Sequence, residues 1–140
     1  MLSSKSQYAC LAMLQLAQEQ AAGEPVQAPR IAQRHGIPAT FLVQILHDLK
    51  RAGRGTSTRG AAGGYRLSRS PNDVTLADVV EVFESVDDPV ECAAAASPLA
   101  PAMMEVCGDL VRVRRDLLQG ITLADLAERS AAGATSMWVI

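Results

Sequence analysis

Aromatic residues make up only 4% of the 140 residues, and no apolar run is long enough to cross a lipid bilayer. The sequence begins without the basic flank, uninterrupted apolar stretch and cleavage site of a secretory signal. Its three cysteines, Cys10, Cys92 and Cys107, are odd in number and widely spaced, which favours reduced thiols over a disulfide framework. We therefore expect a cytoplasmic protein that has no membrane partner.

Acidic residues are nearly absent from one part of the chain. Residues 27–69 contain eight lysines and arginines but a single acid, Asp48, and carry a net charge of +7, whereas the rest carries −9. Such a basic block is the electrostatic footprint expected for a polyanionic partner, although a solvated basic face has the same composition. No segment combines a nucleophile, a base and an orienting group, so we expect no enzyme.

Two short helices separated by a glycine turn are predicted in this basic block. The first carries Pro29 in its first turn and ends at Gly36, where a left-handed residue can close a helix. The second helix has an apolar arc formed by Phe41, Leu42, Ile45, Leu46 and Leu49. Its opposite arc carries the candidate DNA contacts Thr40, Val43, Gln44, His47 and Arg51. The pattern predicts a helix-turn-helix whose second helix enters the major groove of double-stranded DNA, with an ordinary surface helix as the alternative.

A glycine-rich hairpin is predicted after the second of these helices. The alternating segments TSTR and YRLSR flank GAAGG, which indicates a wing with a glycine tip. Glycine lets the backbone approach another molecule, and an arginine at the base of the hairpin can enter a minor groove. The candidate contacts are Arg59, Gly60, Gly63, Gly64 and Tyr65. A phosphate-binding loop is disfavoured, because no Gly-Lys-Ser/Thr follows and no helix begins there.

A long amphipathic helix is predicted in the acidic half, from Ala100 to Gln119, and would be ~30 Å long. Its apolar residues, beginning with Leu99, alternate at spacings of four and three, which is typical of a coiled-coil seam. The predicted dimerisation residues are Met103, Val106, Leu110, Val113 and Leu117. A core helix within one subunit is the alternative. A two-fold dimer would place two recognition helices about one DNA turn apart and would require a near-palindromic operator.

Five motifs occur in an order and spacing that resemble a known family. They are SKSQYACLAMLQLA, IAQRHGIPATFLVQILHDLKRAG, STRGAAGGYRLSR, VTLADVVEVFES and ITLADL. The resemblance is to the IscR/NsrR/CymR-type winged-helix regulators of bacteria, the Rrf-two family. It implies a homodimeric transcription regulator, with the third helix in the major groove and the wing arginine in the minor groove. The residues at matching positions are Thr40, Val43, Gln44 and Arg59.

The expected architecture is mainly α, with a winged helix-turn-helix domain, a small β-hairpin wing and a long dimerisation helix. The predicted boundaries are 1–85 for the DNA-binding domain, 86–98 for a loop, 99–127 for the dimerisation helix with a following short helix, and 128–140 for a tail. Thr75 and Asp78 predict the capped start of a helix packed under the wing. Arg54 and Gly55 replace residues that are usually apolar in the family, so we expect a loosely packed first wing strand.

The resemblance also raises the question of an iron–sulfur cluster, because many members hold one in the loop before the dimer helix. Cys92 in this loop and Cys107 in the following helix remain, but alanines, Ser97 and Pro98 occupy the region of a middle cysteine, and Cys10 is expected to be a core residue. A cluster normally needs four thiolates, with histidine as a known substitute. We expect a repressor without a cofactor. The alternatives are a cluster on Cys92 and Cys107 with atypical ligands, such as Glu91, Glu105 or partner groups, and a thiol switch.

The sequence is also compatible with a second function. The same winged helix could act as an interaction module that docks a partner protein and does not choose a DNA operator. A steep salt dependence of DNA binding would favour the regulator, whereas a stoichiometric protein partner without DNA enrichment would favour the module.

Overall fold

The computed structural model describes residues 2–20, 23–60, 63–84 and 95–139, with side chains described up to residue 133. In chain order, the described helices and strands are α1 (Ser4–Glu19), α2 (Ala28–His35), α3 (Ala39–Arg51), β1 (Gly55–Thr58), β2 (Gly64–Leu67), α4 (Leu76–Val80), α5 (Ala100–Gln119) and α6 (Leu123–Val139). A 3-10 turn at Pro71–Asp73 precedes α4. The predicted mainly helical fold with one small hairpin is confirmed. None of the described helices is both long and apolar enough to span a membrane.

Helix α1 forms the centre of the core. Ser3 caps it by accepting a hydrogen bond from the Ser6 amide at 3.1 Å, which leaves fewer unpaired amides at the helix start. Its small and apolar side chains pack against α3, whose buried residues are Leu42, Ile45, Leu46 and Leu49. Cys10 is buried here, as expected, and burial together with the Glu84 carboxylate raises the pKa of its thiol to about 11.

The turn between α2 and α3 has the geometry predicted from the sequence. Gly36 adopts a left-handed conformation with φ of 65°, and the Ile37 amide donates to the Ala32 carbonyl at 3.0 Å. A left-handed residue at this position favours glycine, which has no Cβ to clash with the backbone. Helices α2 and α3 pack against each other, and Ala32 of α2 and Leu42 of α3 are both buried.

The wing is paired on both sides of β2. Strand β1 pairs antiparallel with β2 from Gly55 opposite Leu67 to Thr58 opposite Gly64, and Tyr65 also exchanges two backbone hydrogen bonds with Val26. Arg54 directly precedes β1, and its guanidinium Nε donates to the Asp78 carbonyl of α4 at 3.1 Å. This bond ties the base of the wing to a helix that otherwise packs on α1 and α5. Strand β1 itself alternates between half-buried and exposed residues, and its loose packing stays a prediction.

Two copies of the tetrapeptide TLAD join the N-terminal domain to the last helix. Thr75 and Asp78 form the predicted capping box at α4, and Thr122 and Asp125 form the same reciprocal pair at α6, with both bonds 3.0 Å long. The two motifs also pair with each other, since the Leu76 amide donates to Ile121 and the Leu123 amide donates to Val74, each at 2.9 Å. Helix α6 is thus anchored where it begins, and it continues to Val139 through the segment predicted to be a separate tail.

Helix α5 has the predicted bounds but is covered by little of its own chain. Its seam residues, from Leu99 to Leu117, are between 51% and 73% exposed, so the alternative of a core helix within one subunit does not describe this chain. On its other side, Arg114 Nη2 lies 3.4 Å from the Glu84 carboxylate. Glu84 also accepts hydrogen bonds from Ser3 and Ser6, and in this way connects α5 to the start of α1.

Candidate nucleic-acid interface

The outer face of α3 carries the residues predicted to read DNA. Thr40, Val43, Gln44, His47 and Arg51 are all exposed, and Val43 has 49% of its surface accessible. Their common exposure follows from the periodicity of the helix, because the opposite face is occupied by buried leucines and isoleucine. The structure therefore brings these five residues together on one accessible stripe.

Phe41 is an exception to the predicted apolar arc. The sequence placed it among the buried residues, but it lies at the edge of the core and is 37% exposed. Its ring meets Tyr8 of α1 edge-on, with centroids 5.8 Å apart and an interplanar angle of 85°. An edge-to-face pair of this kind is a favoured aromatic arrangement, and it connects α1 and α3 at the edge of the core.

Side chains from two other elements hold α3 in position. Lys50 Nζ donates to Ser57 Oγ of β1 at 2.6 Å, which links the end of α3 to the wing. Lys5 Nζ of α1 lies 3.8 Å from Asp48 Oδ2, and the other carboxylate oxygen of Asp48 accepts from Gln44 Nε2 at 3.1 Å. Sequence reasoning missed Lys5 and Asp48, because Lys5 lies outside the basic block and no local pattern relates it to α3.

The wing residues fall into two groups. Arg59 and Gly60 are exposed at the end of β1, where they are free to meet another molecule. Gly63, by contrast, is buried, and a Cβ there would lie 2.1 Å from the Thr58 carbonyl oxygen. A Cβ on Gly64 would lie 2.6 Å from the Val26 carbonyl, so the packing of the hairpin already requires both glycines. Tyr65 is half-buried and pairs with Val26 through its backbone.

Several exposed arginines of the basic block take no part in the ion pairs found among the described residues. Among the described residues, no carboxylate lies within ion-pair distance of Arg51, Arg59, Arg66 or Arg69, and all four are exposed. Arg30 differs, because Glu19 binds it at 2.8 Å. Uncompensated guanidinium groups on an exposed surface produce the positive potential that attracts a polyanion.

His35 belongs to the core side of α2 and not to this surface. Its Nε2 lies 2.6 Å from Gln15 Oε1 of α1, which is itself buried. Burial, and secondarily the neighbouring Arg34, lowers the pKa of His35 below its ordinary value of 6.5. The ring is therefore mainly neutral at pH 7 and supports the packing of α2 on α1.

Two of the three cysteines, Cys10 and Cys107, lie among the described residues. Cys107 is a half-buried free thiol on α5 beside the seam, while Cys92 lies outside the described residues. Cys10 is in the core with a raised pKa, so it is a poor source of thiolate. Within the described part of the chain, no three His, Cys, Asp or Glu side chains converge as metal ligands. One chain thus offers at most two suitable thiolates, where a cluster normally has four.

The helix-turn-helix, the paired hairpin and the exposed stripe on α3 define a winged helix-turn-helix protein. The comparison with known families then gives the specific group: the chain belongs to the Rrf2 family, whose model is described as an iron-dependent transcriptional regulator and matches residues 2–129.

Similar proteins include several transcription regulators. The chain is 36% identical over 131 residues to Protein rrf2 of Nitratidesulfovibrio vulgaris, covering 89% of this chain and 85% of the relative. It is 32% identical over 126 residues to the HTH-type transcriptional regulator CymR of Bacillus subtilis, covering 90% and 88%.

Two solved structures are also similar over most of their length. The structure of CymR, the global cysteine regulator of B. subtilis, has a TM-score of 0.81 at 31% identity and covers 92% of this chain and 97% of that one. The structure of T. potens IscR has a TM-score of 0.69 at 32% identity, with 93% and 88% covered. The chain is accordingly a DNA-binding transcription regulator and not an enzyme.

Proposed function

We propose that this regulator acts as a homodimer, binds a near-palindromic operator, and represses transcription by occupying the promoter. In this proposal α3 enters the major groove and the wing enters the adjacent minor groove. The observation that carries it is the exposed stripe of α3, which lies next to a hairpin whose loop begins with the exposed Arg59. Among the described residues no carboxylate lies within ion-pair distance of Arg59, and Arg59 lies at the tip of the hairpin, not at its predicted base.

The chemistry of the stripe suits base and phosphate contacts. The Gln44 amide can donate and accept at a base edge, and the methyl groups of Val43 and Thr40 can pack against a thymine methyl. Arg51, at the end of the helix, is suited to a phosphate because no carboxylate competes for it among the described residues. Phosphate contacts fix the register, while base contacts give sequence preference.

The dimer proposal is supported by the exposed seam of α5. Large apolar side chains that repeat at coiled-coil spacing and face solvent in one chain need a partner surface, and a second copy offers the complementary one. A two-fold axis through this seam would present two α3 helices to one side of a duplex.

The first experiment is to select duplexes from a random library with the purified protein and to measure binding of the enriched duplex by fluorescence anisotropy. Affinity should fall steeply as salt rises, because contacts to phosphates release counterions. Arg59→Ala should weaken binding about tenfold, the loss expected for one charge-assisted hydrogen bond. Arg129→Ala, an exposed arginine on α6, serves as the matched control and should bind normally. Equal binding to all sequences, or binding insensitive to salt, would contradict the proposal.

We further propose that this regulator binds DNA without an iron–sulfur cluster. The support is the donor set, since Cys10 is buried and only two other cysteines exist in the chain. Protein purified without oxygen should be colourless and low in iron and sulfide, and should still bind the selected duplex. Broad absorption above about 400 nm with stoichiometric iron and sulfide would instead assign a cluster with atypical ligands.

A further inference from the structure

Asp48 stands out as the only acidic residue in the basic block of residues 27–69. It lies on α3, four residues after Gln44, and its side chain remains 24% exposed. The phosphates of a duplex repel a carboxylate. Asp48 on α3, the helix proposed to enter the major groove, therefore weakens binding unless it also makes a contact that favours it.

Both oxygens of Asp48 are occupied by specific partners. Oδ1 accepts a hydrogen bond from Gln44 Nε2 at 3.1 Å, and Oδ2 faces the ammonium of Lys5 at 3.8 Å. A glutamine and an aspartate one helical turn apart interact favourably on a helix surface. The contact orients the Gln44 amide: its Nε2 nitrogen points towards Asp48, and its Oε1 oxygen points away from Asp48.

Resting on the function proposed above, we propose that Asp48 is a positioning residue that sets the Gln44 amide to read adenine. With one N–H held by Asp48, the amide still offers its second N–H and its carbonyl oxygen. Adenine presents an acceptor at N7 and a donor at N6, which match these two groups, whereas guanine presents two acceptors, N7 and O6. The carbonyl oxygen of Gln44 would then face the O6 of guanine, and the pair would be rejected.

Lys5 has a separate part in this arrangement. Its positive charge offsets the carboxylate, and it ties α3 to α1 without touching the Gln44 amide. Loss of Lys5 should therefore weaken binding to all duplexes alike, whereas loss of Asp48 should change the preference between duplexes. This difference separates a positioning role of Asp48 from a purely structural one.

The test begins by repeating the random-duplex selection with Gln44→Ala, which identifies the base pair that Gln44 reads as the position where preference is lost. Affinities are then measured for the wild-type-selected duplex and for the same duplex with A·T changed to G·C at that position. Asp48→Ala should reduce the affinity ratio of the two duplexes about fivefold or more. It should also bind unrelated DNA more tightly, because one negative charge is gone.

Three further variants and one fold check make the result decisive. Asp48→Asn keeps an acceptor oxygen and should retain the preference, and Lys5→Met should retain it at lower overall affinity. Asp48→Ala combined with Gln44→Ala should show no greater loss of preference than Gln44→Ala alone. Circular dichroism and thermal unfolding establish that each variant is folded.

The inference is overturned if Asp48→Ala shifts both affinities equally, if Gln44→Ala loses no preference, or if Lys5→Met loses as much preference as Asp48→Ala. A wild-type protein that enriches no sequence would refute the proposed function itself. Sequence preference that survives Asp48→Ala unchanged would refute only the role of Asp48.

Discussion

Replacing Leu110 by alanine is expected to weaken the proposed dimer without unfolding the subunit. Leu110 lies at the middle of the seam on α5 and is 64% exposed in the single chain, so its side chain contributes little to the core of that chain. The substitution keeps a good helix former at the position and removes most of the apolar surface. The effect should therefore appear in association and not in folding.

The magnitude follows from the exposed surface of Leu110. Full burial of a leucine side chain stabilises a structure by about 1.5–3 kcal/mol. With 64% of the residue exposed, burial against a partner would contribute about 1–2 kcal/mol per copy, and the two copies related by the axis about 2–4 kcal/mol. Alanine retains its Cβ, so the lower end applies, and the dimer dissociation constant should rise roughly 30-fold.

Sedimentation velocity over a range of protein concentrations measures this constant directly. The matched control is Glu105→Ala, an exposed position on α5 outside the seam, which should leave the constant unchanged. Two results would refute the reasoning. One is a wild-type protein that remains monomeric at micromolar concentration; the other is an equal effect of both substitutions. Loss of helical circular dichroism in Leu110→Ala would show that the residue supports the subunit itself.

Two further predictions concern the contacts that connect α1 with α5 and the cap at the start of α6. Burial alone would raise the pKa of Glu84, but hydrogen bonds from Ser6 and Ser3 and the charge of Arg114 lower it below the ordinary 4.5. The stabilisation by Glu84 is thus fully present above about pH 5 and is lost as pH falls through the lowered pKa. When the pH is lowered below about 5, the unfolding midpoint of Glu84→Gln should therefore decrease less than that of the wild type. Thr122→Ala removes the cap of α6 and should cost about 1 kcal/mol in urea unfolding, whereas Ser130→Ala should cost little.

Local patterns were sufficient for α2, α3, the hairpin and α5, but not for α6, which runs through the segment predicted to be a tail. The bounds of α5, the left-handed Gly36 and the capping residue Thr75 each follow from interactions within a few residues of the chain. The exposed stripe of α3 follows in the same way, because a fixed helical period divides its residues between core and solvent. Whether those residues contact DNA stays a prediction.

Contacts between distant segments were not accessible to the same reasoning. The sequence suggested that Gly63 and Gly64 serve DNA binding, but the structure gives them a packing reason, the close approach of the Thr58 and Val26 backbones. The anchoring of Arg54 on α4 and the pairing of the two TLAD motifs likewise depend on which segments meet in three dimensions. No periodicity within one segment contains that information.

The surface proposed to read DNA and the surface proposed to form the dimer belong to different helices, and α1 connects them. Glu84 binds the start of α1 on one side and Arg114 of α5 on the other, while Lys5 of α1 reaches Asp48 on α3. The distance between two α3 helices in a dimer would therefore depend on how α5 is docked against α4 and linked through Glu84 to the start of α1. Weakening that docking should alter the preferred spacing of half-sites, whereas changes on the stripe of α3 should alter only the preferred bases within each half-site.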